Sequence, residues 1–535
     1  MAKKKTVKHP IEKKSTRNLS AGIQNGSLST RISANSKSSE IFFYLNGQEV
    51  RPTAEEAFMM TADWLRKRKG MPGTKIVCAE GDCGACTVLI ADPRKESLDF
   101  VPINSCVYLV GQLHGKSVVT IEGISNGSIL SPVQNAMMKC HGSQCGYCTP
   151  GFVMALTGLL ESRKMDNIPA AQKRKVCTNY LTGNLCRCTG YAPILDAACN
   201  MTDDSNYELK HRYLNEKIIT TLKSNIWKTN QMGDKHGPTW YSPNQLEDAL
   251  KFLKNQKSSV KILGSTTDLG VLYNKGKSQP NAFLSLQNIK ALHASKVTPK
   301  QVQIGAQVSL ESVRGAMKNI DSEFVNLLNI FASPQIKNVA TLIGNVANGS
   351  PIGDTIPYLL VRNAIVYTSG ISQGKIRERK IPLDKFYIGY KTSALESQEL
   401  ITKITFDRPK ANNFVRHYKI STRKDLDIST MSMAISLDCE FSGHQFTIKQ
   451  PRIAIGGMGP TAARIYSVEQ KWEHQILTKT TILDLTHETA CSINLELSPL
   501  SDHRGSADYR RALITNFFSK FASEFSQFLE SMGVP

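Results

Sequence analysis

The chain runs to 535 residues, enough for roughly three or four domains of ordinary size. A hydrophobic share of 41% is that of a globular protein, and no run of about 18 uncharged apolar residues occurs, so no membrane-spanning helix is expected. Sixty-six Lys and Arg against 45 Asp and Glu leave a formal net charge of +21, part of it concentrated at the start.

Residues 1–40 hold nine Lys or Arg (Lys3, Lys4, Lys5, Lys8, Lys13, Lys14, Arg17, Arg31, Lys37) against Glu12 and Glu40, in a background of Ser, Asn and Gly. Such a segment buries too little apolar surface to offset its ordering entropy, so a disordered basic tail is expected. Docking to an acidic partner or to nucleic acid is the less expected use of it. The segment has no apolar core of the kind a secretory signal requires, which points to a cytoplasmic chain.

Folded sequence begins near Glu40. Ile41–Val50 reads as two short β-prone runs about the Asn46-Gly47 turn, a hairpin signal. Ala54 to Lys69 is amphipathic and is closed by Gly70, which predicts one helix. A cysteine-rich loop follows, then Thr87–Ala91 as a strand. Helices are expected over Phe152–Arg163 and Ala170–Leu181, and the polar stretch 201–237 reads as a linker. Mixed α/β sequence follows, with a strand at Val260–Leu263. Beyond about Phe414 a helical stretch is expected at Leu426–Ile435, then β-rich sequence, then a long helix from Arg504 to Met532.

Eleven of the 13 cysteines lie between Cys78 and Cys199. Close Cys-x-x-Cys spacing in a chain without a signal peptide favours metal over disulfide. Cys78, Cys83 and Cys86 stand at Cys-x4-Cys-x2-Cys spacing, with Cys106 as a distant fourth, the pattern of plant-type 2Fe–2S ferredoxins. Thiolates are the soft anionic ligands that iron in a sulfide cluster requires. Gly81, Gly84 and Ala85 let such a loop wrap tightly enough to aim backbone N–H groups at sulfur. The second set, Cys145 and Cys148 with Cys186 and Cys188, is less specific as spacing, since a structural zinc ion accepts four thiolates too. Cys140, Cys177 and Cys199 match no ligand position and are expected as buried free thiols.

Two turns in the centre could cradle a diphosphate: Ile262–Gly270 after a strand, and the Gly- and Asn-rich run from Asn338 to Asp354. On their residues alone each is more often an ordinary turn, and neither is a Rossmann fingerprint.

In its wording, Cys140-His-Gly-Ser-Gln144-Cys145-Gly-Tyr-Cys148-Thr-Pro-Gly151 with Gly183-Asn-Leu-Cys186-Arg-Cys188-Thr-Gly190-Tyr191, the chain closely resembles the molybdenum hydroxylases, the xanthine dehydrogenase family. The resemblance runs over nearly all of residues 41–535. It implies an α+β multidomain fold: a β-grasp 2Fe–2S ferredoxin domain over 41–123, a helical-bundle 2Fe–2S domain over 124–200, the linker 201–237, an α+β FAD-binding domain of vanillyl-alcohol-oxidase-like type over 238–412, and an α+β flavoprotein C-terminal domain over 413–535. The C-terminal match rests on Tyr418–Ile428 and Ile453–Thr461.

Carried over residue by residue, the resemblance implies that Leu263, Gly264, Ser265, Thr266, Thr267 and Asp268 line the FAD diphosphate and ribityl chain. Phe331 would pack on the flavin, Asn345 and Asp354 would hydrogen-bond the cofactor, Ile401 would touch the ring system, and Lys419 would lie close by. Gln144 would approach a molybdopterin on a partner subunit. The cluster of Cys145, Cys148, Cys186 and Cys188 would stand nearer molybdenum, and the cluster of Cys78, Cys83, Cys86 and Cys106 nearer the flavin. The chain departs from the family at Val77 and at Ile343, where Gly is usual, and a β-branched residue at Ile343 would resist a positive φ.

The implied function is that of the electron-transfer subunit of xanthine dehydrogenase. Substrate oxidation, with no catalytic residue here, would occur on a large molybdopterin-binding subunit in an αβ or (αβ)2 assembly, and FAD would pass the electrons to NAD. An equivalent subunit for an aldehyde, nicotinate or aromatic substrate, and a stand-alone iron–sulfur flavoprotein carrier, remain alternatives. A zinc-binding module using its basic tail on nucleic acid is the reading from another class.

Overall fold

The structure is a computed structural model that describes residues 40–162, 165–233, 237–256, 259–410, 412–442 and 445–531. Apart from Glu40, the expected basic tail lies outside them. The first folded unit is a five-stranded mixed sheet in the order Gln48–Val50, Phe43–Leu45, Ser117–Val119, Thr87–Ala91, Val101–Asn104, with one parallel pair between Phe43–Leu45 and Ser117–Val119. Trp64 and Leu65 bury against Phe43, Val88 and Ile90, and the Trp64 ring meets the Phe43 ring edge-on at 5.5 Å. Each such side chain taken out of water contributes about 1.5–3 kcal/mol, which fixes the sheet under the cysteine loop.

The single helix expected over Ala54–Lys69 is two helices, Ala54–Ala57 and Thr61–Lys67. Met60 is pulled into extended backbone by a bridge to Leu109, and Thr61 donates its N–H to the Tyr108 carbonyl at 2.8 Å. Tertiary pairing here overrides a continuous helical pattern.

Four helices, Pro132–Lys139, Thr149–Ser162, Ala170–Tyr180 and Ala192–Asn200, form the second unit around Phe152, Leu156, Cys177, Ile194 and Ala198. The expected linker 201–237 is folded over its described residues. It contains helices Leu209–Tyr213 and Glu216–Lys223, with Leu209, Ile218 and Leu222 buried at helical spacing against the same core. Its last strand, Asn230–Gly233, pairs with Thr239–Ser242 and so belongs to the sheet that follows. The high polar content of the stretch hid this, because only one face of each helix is apolar.

The central region is built on two sheets. A four-stranded one runs Asn230–Gly233, Thr239–Ser242, Ala282–Ser285, Val260–Leu263; a five-stranded antiparallel one runs Ser295–Val297, Gln301–Gly305, Leu400–Asp407, Ile365–Ser372, Lys375–Pro382. The final unit is the antiparallel set Asn413–Ile420, Met431–Ser442, Gln445–Gly456 and Ala463–Arg464, backed by helices Lys479–Glu496 and Ala507–Ser531. The helix expected over Leu426–Ile435 does not form: a turn leads into the strand Met431–Ser442. Met431, Met433 and Ile435 face the core under the helices, while Ala434 faces the core of the central region, a period of two that only a strand sustains. Among the described residues no helix is long and apolar enough to cross a membrane.

Candidate functional site

The first cysteine set sits on the loop between helix Thr61–Lys67 and strand Thr87–Ala91, with Cys106 brought in by the turn after Val101–Asn104. The loop is wound through left-handed backbone at Ala79 (φ 54), Gly81 (φ 83) and Gly84 (φ 68). A Cβ on Gly84 would run into the Gly183 carbonyl and the Asn184 side chain, so glycine is required there for close approach as well as for φ. Asn104 Nδ2 donates to the Gly81 carbonyl at 2.5 Å, and the Ser105 hydroxyl donates to the Cys86 carbonyl at 2.6 Å, tying the turn of the fourth cysteine to the loop of the other three.

The four thiols touch. Cys78 lies within hydrogen-bond reach of Cys106 and of Cys83, and Cys86 within reach of Cys106. Contact with Cys106, then with Cys83, drives the Cys78 thiol far below its ordinary range. Contact with Cys78 drives Cys106 and Cys83 far above it. Crowded thiolates repel, so the set can ionise together only around a cation. Among the described residues no three His, Cys, Asp or Glu side chains converge as the ligands of a single ion would. The contacts run Cys83–Cys78–Cys106–Cys86 and gather four thiols, the number that a two-iron cluster takes.

The second set is arranged as two pairs. Cys145 and Cys188, both exposed, stand 3.3 Å apart at sulfur, and Cys148 meets Cys186. Burial pushes the Cys148 thiol up to about 12. Burial also works to raise Cys186, but the hydroxyl and N–H of Thr189 and the N–H of Cys188 outweigh it and bring it to about 7. Tyr191, at φ 70, closes the loop by accepting the Cys186 N–H at 3.0 Å. Gln144 is exposed beside Cys145. Of the remaining thiols Cys177 is buried and meets Cys199, whereas Cys140 and Cys199, expected buried, are half-buried.

The two sets are joined through backbone. Leu185 donates its N–H to the Cys83 carbonyl at 3.0 Å, and Asn184 Nδ2 donates to the Gly84 carbonyl at 3.2 Å. Gln335 Nε2 from the central region donates to Asn184 Oδ1 at 2.8 Å, so three units meet at this point.

The loop after Val260–Leu263 lies on the other side of the first set. Thr266 is buried, and its hydroxyl lies 2.6 Å from the Val107 carbonyl, next to Cys106, and 2.7 Å from Gln112 Oε1. Thr266 therefore faces the ferredoxin-like unit. Gly264 and Ser265 line a cavity of about 470 Å³, with Gln307, Ser309 and Thr341 opposite and Lys95 and Lys116 from the first unit at one side. The Ser265 hydroxyl and Gln307 Nε2 are buried without partners, and both line the same cavity. Unsatisfied buried donors are costly, so the cavity fits a ligand rich in acceptor oxygens, such as a diphosphate, although Asp92, Glu96 and Glu311 line it too and Lys116 is paired with Asp92. Leu263 is buried, Thr267 half-buried and Asp268 exposed; none of the three lines the cavity.

The other expected flavin residues form a second group. Lys419 and Ser429 each donate to Asp354 across the junction of the central and final units, and Asn345 Oδ1 accepts from Thr355 at 2.5 Å. Ile401 is buried in the five-stranded sheet opposite Thr368, and Phe331 is half-buried at the edge of the same core. Ile343 lies inside helix Leu342–Asn348 and is buried, so a positive φ is not asked of it. Val77 is 61% exposed. Sequence reasoning missed Gln307, which lines the same cavity as Ser265, and also Ser429, Asn184 and Gln335; only Asn184, inside the quoted motif, carried a local signal.

Comparison with family models matches residues 120–199 to a [2Fe-2S] binding domain, 231–409 to the FAD binding domain in molybdopterin dehydrogenase, and 416–525 to the CO dehydrogenase flavoprotein C-terminal domain. The xanthine dehydrogenase of Calliphora vicina is 30% identical over 554 residues, covering 93% of this chain and 40% of the relative. That of Drosophila subobscura is 29% identical over 552 residues with the same coverage. The carbon monoxide dehydrogenase from Hydrogenophaga pseudoflava is similar in structure at 22% identity and a TM-score of 0.48, covering 54% of this chain and 96% of its own. The chain spans about two-fifths of the length of the curated relatives it matches. With two thiol sets and three matched domains in sequence, the chain carries the iron–sulfur and FAD-binding domains of the molybdenum hydroxylase type.

Proposed function

We propose that this chain is the electron-transfer subunit of a xanthine dehydrogenase, taking electrons from a molybdopterin site on a large partner subunit and delivering them to NAD. The observation that carries the reading is the position of the first thiol set, in direct contact with the second through Leu185 and Cys83 and with the flavin loop through Thr266 and Val107. When bound, the clusters move electrons singly and FAD collects two of them for transfer as a hydride.

The protein's own residues do the positioning. Cys145 and Cys188, exposed beside Gln144, present the second set at the surface where a partner would dock. Cys86 and Cys106 are buried, which shields the first set from water. Gly84 and Gly183 bring the two loops into contact, shortening the gap an electron crosses. Ser265, Gln307 and Thr341 would hold the cofactor's phosphates, and Asp354, fixed by Lys419 and Ser429, would orient its flavin end. The strongly basic surface suits an acidic partner in an αβ or (αβ)2 assembly.

Native purification tests the reading. Four irons, four acid-labile sulfides and one FAD per chain are expected, together with a molybdenum-containing partner and xanthine-dependent NAD reduction. Fewer than four irons after anaerobic handling would overturn the iron–sulfur assignment. An aldehyde or another heteroaromatic oxidised in place of xanthine would overturn the substrate alone.

A further inference from the structure

Helix Leu269–Asn274 of the central region ends against the first cysteine loop. Asn274 Nδ2 donates both its hydrogens, one to the Ala79 carbonyl at 2.8 Å and one to the Cys106 carbonyl at 2.8 Å. The peptide that begins with the Ala79 carbonyl ends in the Glu80 N–H, and that N–H donates to Cys78 Sγ at 3.4 Å. Ala79 takes a left-handed φ of 54, which a non-glycine residue adopts only against a steric cost. This backbone turn directs one face of the peptide to sulfur and the other to Asn274. Lys275 pins the same segment through an ion pair with Glu80 at 2.6 Å.

We propose that Asn274, a residue of the flavin-binding region, is a positioning residue that sets the reduction potential of the cluster in the neighbouring ferredoxin unit. The inference rests on the iron–sulfur assignment above. A donor on a carbonyl polarises its peptide and strengthens the N–H at the other end, so the Asn274–Ala79–Glu80–Cys78 chain is cooperative. Reduction adds one electron's charge to the thiolate-bound iron, and hydrogen bonds to sulfur favour that charge and raise the potential. The second Asn274 bond holds the turn of Cys106 in the same register. Flavin-domain docking and cluster potential are thereby coupled through one side chain, so the cluster is tuned when the domain that receives its electrons is in place.

The test is potentiometric titration of the full chain, followed by electron paramagnetic resonance, for wild type and Asn274→Leu, which keeps the side chain's bulk and removes its donors. The midpoint of one cluster is expected to shift to lower potential while the other cluster and the flavin content stay at wild-type values. Asn274→His, which retains an N–H donor, is expected to recover part of the shift. A merely packing role would be restored by Leu and would move no potential. Two intact clusters with unchanged midpoints in Asn274→Leu would overturn the inference and leave the iron–sulfur reading standing; a wild-type protein without cluster signals would remove that reading itself. If Asn274→Leu does not assemble, electron–nuclear double resonance on wild type decides: absence of an exchangeable-proton coupling from the Glu80 amide sinks the hydrogen-bond chain.

Discussion

Lys419 Nζ stands 2.7 Å from Asp354 Oδ2 with the two side chains only 3% and 5% exposed, and this ion pair joins the central region to the C-terminal unit. Lys419 also donates to the Asp427 carbonyl at 2.8 Å, and the Ser429 hydroxyl donates to the other Asp354 oxygen. Each charge is thus paired and hydrogen-bonded, the condition under which a buried ion pair is tolerated.

Asp354→Ala leaves Lys419 buried without its carboxylate. The expected cost is about 3–5 kcal/mol, read as a lower denaturation midpoint, together with a fall in the flavin-to-protein ratio. A stable variant with full flavin content would remove Asp354 from the cofactor site.

Cys148→Ser replaces one thiolate of the second set. On the proposed function, the expected result is loss of one of two paramagnetic iron–sulfur signals and of xanthine-to-NAD turnover, with NADH-to-dye activity through FAD retained. Normal xanthine-dependent turnover would mean that the second set does not lie on the route.

Gly84→Ala puts a Cβ against the Gly183 carbonyl at a position of φ 68. Gly70 has nearly the same φ, 64, with nothing within 4 Å of a Cβ. Gly70→Ala is expected to cost about 1–2 kcal/mol from backbone strain alone. Gly84→Ala is expected to cost more and to perturb the first cluster's signal, because the contact between the two cysteine loops must open. Equal losses in the two variants would show that the loop contact is loose.

Stability is expected to fall as the pH drops below neutrality. Burial, helped by the charges of Arg94 and Lys116, lowers His114 to about 3; burial lowers His293 and His417 to about 4. Their unfolded values are about 6.5. Below that pH the unfolded chain binds protons that the native protein refuses, so the contribution is present above about 6.5 and is lost as pH falls toward the native values. Each group adds a slope of up to ~1.4 kcal/mol per pH unit. Urea denaturation between pH 7.5 and pH 5 measures it, taking those pH values as about one unit on either side of the unfolded histidine value, and His114→Phe should flatten the dependence.

Much of the chemistry was legible in the chain itself. The spacing of Cys78, Cys83 and Cys86, the glycines between them, and the wording around Cys145 and Cys186 are local properties, and local spacing decides which thiols a tight loop can gather. The turn at Ile262–Gly270 was visible in the same way, while its cofactor role was read only from the family resemblance. Local pattern failed where two periods competed: Leu426–Ile435 looked helical until partner strands on both sides made Met431, Met433 and Ile435 a strand. It failed again at 201–237, where one apolar face per helix was too thin a signal.

The amino-acid order by itself grouped Cys78 with Cys83 and Cys86, paired Cys145 with Cys148 and Cys186 with Cys188, and put a polar turn after Val260–Leu263, because those depend on neighbours a few residues apart. Only the tertiary structure decided that Leu185 touches Cys83, that Thr266 reaches Val107, and that Asn274 grips Ala79 and Cys106. Those partners are about 100 to 200 positions apart, and no local preference encodes a contact that exists only after separate cores have buried their apolar faces and brought the loops between them together.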